Sequence, residues 1–77
     1  MVSLTMDFCR KVWHTVKQDS PEVAFQLKPD YCFTVNYDCS RGEYCVNRLR
    51  SKNGLFVASL SEIVKCEKDI FDFCKKF

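Results

Sequence analysis

The sequence contains one histidine, His14, and no two cysteines closer than five intervening residues. Zinc sites usually set two ligands about two to four residues apart and often add histidine. A metal site therefore has no visible ligand set, and no metal or other cofactor is expected. No serine or cysteine is marked as paired to a base, so hydrolase chemistry has no visible support. His14 sits among Arg10, Lys11 and Lys17, opposite the apolar side of its predicted helix, and reads as a surface residue. No apolar run approaches the ~20 residues of a membrane span. Repeats, low-complexity stretches and linkers are also missing. The net charge is only +2, and ten acidic residues are spread along the chain. No sustained basic surface is expected, which argues against nucleic acid as a partner. The opening "MVSLTMDFCRKVW" lacks a basic segment followed by a long apolar stretch, so no leader peptide is visible.

What the chain has is cysteine: six in 77 residues, at Cys9, Cys32, Cys39, Cys45, Cys66 and Cys74. A core this small is expected to need a staple. An even cysteine count without metal spacing predicts disulfides, and disulfides predict an oxidising compartment. The expected protein is thus secreted and extracellular, a mature chain with Met1 as an expression start. Cys66 and Cys74 lie on one predicted helix, about 12 Å apart at ~1.5 Å rise per residue. That exceeds the ~7 Å Cα limit of a disulfide, so each must bond to a different element. One bond is expected to tie Cys9 to the last helix; the remaining connectivity stays open.

Hydrophobic spacing predicts an all-α fold over residues 1–77: a disulfide-stapled bundle of three main helices plus one short helix. In "LTMDFCRKVWHTVKQD", Cys9, Val12, Trp13 and Val16 share a helical face that Ser3 or Thr5 could cap. Pro21, with Ser20 as cap, suits the start of a short helix carrying Val23, Ala24 and Leu27. In "DYCFTVNYDC", Phe33, Val35 and Tyr37 alternate like a strand, while Cys32, Val35 and Cys39 fit a helix. With no second alternating run to pair with, this segment is read as helix or extended connection. Ser40 and Glu43 form a capping-box pattern, and Asn53-Gly54 supplies a left-handed stop, bounding a third helix with Cys45, Val46 and Leu49 inward. A second capping-box pattern, Ser59 to Glu62, opens a last helix striped by Leu60, Ile63, Cys66, Ile70, Phe73, Cys74 and Phe77.

At 100° per residue, Arg41, Arg48 and Lys52 fall on one strip beside Cys45, flanked by Tyr44, with Arg50 on another side. This basic, aromatic-edged face is the expected partner-binding site. The apolar run "GLFVASL" could expose Leu55, Phe56 and Val57 as an anchor for a receptor or membrane surface, but is read as folding back into the core. Glu67 reads as a rim carboxylate or one buried against a cation. The functional expectation is a non-enzymatic secreted effector, of toxin, salivary, pheromone or hormone type, that engages a protein receptor or ion channel. Its bridges would preorganise the contact face. A membrane surface is a weaker candidate partner. The alternative is a carrier, with seven phenylalanines lining a cavity for a lipid or other small hydrophobic ligand.

Overall fold

The computed structural model describes residues 2–18 and 22–77. Helix α1 (Met6–Gln18) is followed by strands β1 (Glu22–Lys28), β2 (Tyr31–Asp38), β3 (Glu43–Lys52) and β4 (Leu55–Val64), and then by helix α2 (Glu67–Cys74). The strands form one antiparallel sheet in the order β1-β2-β3-β4. Both helices pack on one face of it and against each other. The fold is therefore a two-layer α/β arrangement, and the expected all-α bundle is incorrect. Only the first helix stands where helical spacing puts it. The expected third helix is strand β3, and the expected last helix divides into β4 and a short α2. The proposed Ser20–Pro21 helix start lies outside the described residues, but the segment after it is strand β1.

Local chemistry accounts for these elements. The Thr5 hydroxyl accepts the Phe8 amide at 3.0 Å and caps α1. Cys9, Val12 and Val16 are the buried stripe of that helix. Alternation in β2 is real, because Phe33 and Val35 face the helices and are buried. Cross-strand register aligns Val23, Val35, Val46 and Glu62 in one row, and Phe25, Phe33, Arg48 and Leu60 in the next. Asn53 (φ 52°) and Gly54 (φ 80°) both occupy the left-handed region. Two such residues in succession close a two-residue hairpin, so this dipeptide joins β3 to β4 and stops no helix. Ser40 caps nothing: its amide and hydroxyl donate to the Asp38 carboxylate at 3.0 and 2.6 Å in the β2–β3 turn. That hydroxyl is the main reason Asp38 ionises below its ordinary value. The turn closes with Gly42 at φ 68°, its amide donating to the Asp38 carbonyl at 2.8 Å.

Cys9, Cys32, Cys39, Cys45, Cys66 and Cys74 are all free thiols. The expectation of disulfide bonds is overturned because the fold scatters these residues. Cys39 is exposed in a turn, Cys32 and Cys45 lie on the sheet face away from the helices, and Cys66 precedes α2. Cys9 and Cys74 do meet where α1 packs on α2, at 0% and 2% exposure, and remain unbonded. Burial pushes the Cys9 thiol up to about 11. Burial first, and neighbouring Cys9 second, push Cys74 up to about 12.

Two outcomes follow from these thiols. A thiol reagent should label Cys39 first in the native protein and reach Cys9 and Cys74 only after denaturant is added. The denatured, unreduced chain should then titrate for all six. For pH, the folded thiols at about 11 and about 12 lie above the ordinary 9.0. The native state therefore holds protons that the unfolded chain gives up. This contribution to stability is full below pH 9 and fades as pH rises through 11 to 12. Urea midpoints should fall over that window, and less steeply in Cys9→Ala.

Candidate contact surface

Strand geometry regroups the four residues that sequence spacing brought together. Arg41 lies in the β2–β3 turn, exposed, with its Nε 3.7 Å from the Asp38 carboxylate. Tyr44, Arg48 and Lys52 share the helix side of β3, because a strand repeats every second residue. By the same alternation Arg50, assigned to a different side by helical spacing, joins their row, while Arg41 leaves it. Tyr44 serves the interior: its ring stands edge-to-face between Trp13 at 4.9 Å and Tyr37 at 5.0 Å. The cationic part of the site is therefore Arg48, Arg50 and Lys52.

Arg48 is the fixed member of this row. Its guanidinium carbon lies 4.2 Å from the Phe77 ring centre and 5.0 Å from that of Tyr31. Its Nε donates to the Ser59 hydroxyl at 3.0 Å, and that hydroxyl donates to the Arg48 carbonyl at 3.2 Å. Ser59 is the extra residue of a bulge, where the β3–β4 register shifts after Arg48. Its side chain thus satisfies the carbonyl beside the interrupted ladder. Arg50 and Lys52 are exposed, and among the described residues neither has an ion-pair partner.

Sequence reasoning set aside the apolar half of the surface in favour of a core reading. "GLFVASL" is not core; Leu55, Phe56, Val57 and Leu60 are all exposed on β4. Arg48, Arg50 and Lys52 pair in register with Leu60, Val57 and Leu55, so three cations lie beside three aliphatic side chains on the helix side. The available signal was Asn53-Gly54 between two runs able to form strands, which folds the basic run directly back on the apolar one. The one acid of β4, Glu62, accepts from Lys76 Nζ at 3.3 Å.

The opposite sheet face is polar and internally bonded. Asn47 donates to Thr34 Oγ1 at 3.1 Å and to Asn36 Oδ1 at 2.7 Å, and accepts from the Ser61 hydroxyl at 2.5 Å. His14 is exposed on α1, beside Asp7, Arg10, Lys11 and Thr15. Glu67 is half-buried in the first turn of α2, where the helix dipole favours a carboxylate. Among the described residues, no three His, Cys, Asp or Glu side chains converge on a metal position. Comparison with known protein families, with characterised proteins and with solved structures gave no match.

Arg48→Ala removes two ring contacts and the Ser59 hydrogen bond, and should lower the unfolding free energy by about 1–2 kcal/mol. Arg48→Lys should recover only part of this, because an ammonium cannot reproduce the planar stack. Urea unfolding of the two variants beside the parent checks both.

Proposed function

We propose that this chain is a non-enzymatic binding protein whose contact surface is the helix side of the β3–β4 hairpin. The observation that carries the reading is the register: Arg50 with Val57 and Lys52 with Leu55, all four exposed. Solvated faces usually mix charge with polar groups, whereas contiguous exposed aliphatics beside arginine are the composition of protein interfaces. The stacked Arg48 gives this surface a fixed inner margin, so little ordering is lost when a partner seats. The complementary partner is a protein surface that is acidic and partly apolar.

The narrower reading, a secreted ligand of a receptor or channel, rested on cross-linked cysteines, and free thiols withdraw that support. The carrier alternative needs space among the phenylalanines. Phe25, Phe33, Phe73 and Phe77 instead touch one another at ring separations of 5.4 to 6.3 Å, which favours contact at the surface.

A glutamate-rich peptide with interspersed leucines is a suitable probe, read by fluorescence anisotropy at low salt. Arg50→Glu/Lys52→Glu should weaken binding at least about tenfold, ~1.4 kcal/mol. Lys11→Glu/Lys68→Glu, with the same change in net charge, should stay near the parent. Equal loss in both variants, or no binding by the parent, would refute the assignment.

A further inference from the structure

The two edges of the sheet are unlike. At the β1 edge, seven residues carry Glu22 and Lys28 at their ends and a register break between Gln26 and Lys28. The Val2 amide also donates to the Gln26 carbonyl at 3.0 Å, so the N-terminal segment already occupies part of that edge. Charges, irregularity and cover are the usual means of blocking a strand edge. The β4 edge shares only the irregularity, its bulge at Ser59: it has ten residues and a single charge, Glu62. Five of its side chains are large, apolar and exposed: Leu55 (70%), Phe56 (44%), Val57 (45%), Leu60 (42%) and Ile63 (43%). At ~3.4 Å per residue such a strand is about 34 Å long. That matches the longest dimension of the protein, 33 Å.

We propose that β4 pairs antiparallel with β4 of a second copy, forming a symmetric dimer with one continuous eight-stranded sheet. A twofold interface needs a strand that complements itself. With the axis between Ala58 and Ser59, Val57 of each copy faces Leu60 of the other, Phe56 faces Ser61, and Leu55 faces Glu62. Within each copy Leu55 is the register partner of Lys52. The only acid of the edge therefore faces the other copy's Leu55 and lies two strand spacings, ~10 Å, from that copy's Lys52, and does so twice. Two long side chains can span that gap over Leu55. That charge match selects a second copy over a foreign strand, which would have to bring its own acid to the same place. Lys76, which now holds Glu62 at 3.3 Å, is an exposed partner and can share it. Pairing leaves Arg50 and Lys52 outward. Their two rows would stand about three strand spacings apart, ~14 Å, on either side of a shared aliphatic floor. The dimer does not depend on the binding surface proposed above, although it would double that surface.

Sedimentation velocity over a concentration series tests the pairing. The parent should shift from monomer to dimer as concentration rises. Val57→Lys, which puts an ammonium at the paired edge, should stay monomeric with unchanged circular dichroism and protected Cys9 and Cys74. Glu62→Lys should weaken the dimer at least about fivefold, ~1 kcal/mol, and adding Lys52→Glu to it should restore the affinity. A parent that is monomeric throughout overturns the proposal. So does a dimer indifferent to Val57→Lys, a charge swap without recovery, or growth beyond two copies. Arg50→Glu, on β3 and outside the paired edge, should still dimerise as the parent does, which reads the dimer separately from the contact surface.

Discussion

Phe33 is held by rings from three directions. Phe25 stacks on it from β1 at 5.7 Å, and from the other layer Phe73 and Phe77 reach it at 6.3 and 6.2 Å. One side chain at the middle of β2 thereby ties the sheet to α2 and to the last residue of the chain. Phe8 extends the contact through Phe25 into α1 at 5.0 Å. A chain of 77 residues whose cysteines stay free has to draw its stability from large, well-packed side chains. Aromatic rings deliver the most burial per residue, with a geometric preference added. In that setting Cys9 and Cys74 act as small hydrophobes that fill the gap where the helices touch. Their suppressed ionisation is a by-product of that burial.

The first helix was legible because its burial stripe and its cap both lie within sixteen residues, from Ser3 to Gln18. The sheet was not, because its evidence is shared among strands that do not look alike. Strand β2 alternates visibly, but its partner β3 alternates between two kinds of polarity: Tyr44 and Val46 give way to Arg48, Arg50 and Lys52 on the same face. In β4 both sides are exposed, so neither side reads as polar. Positive backbone angles at Asn53 and Gly54 serve a helix end as well as a hairpin, and only the pairing partner decides between them. The contact residues show the same ambiguity in miniature. Residues four apart, such as Tyr44, Arg48 and Lys52, share a face under a period of 3.6 and under a period of two. Arg41 and Arg50, separated from Arg48 by seven and by two, are the ones that a wrong period misplaces.

The change of polarity along β3 has a structural boundary. Tyr44 and Val46 lie under the helices, Arg48 sits at the margin with Phe77 over it, and Arg50 and Lys52 are past it in solvent. The sequence of β3 thus becomes polar where the helix layer ends, as consistency between pattern and burial requires. One strand away the same boundary is ignored. Val64 is buried, but Leu60, Val57 and Leu55 continue apolar into solvent, and Phe56 and Ile63 do so on the other side. Serine is acceptable on this strand, as Ser59 and Ser61 show, so nothing in the packing of the single chain forces the remaining positions to be large and aliphatic. A largely apolar edge left bare invites indiscriminate strand addition. Its apolar character is therefore best explained by something that covers it, at the one place where local pattern and monomer burial disagree.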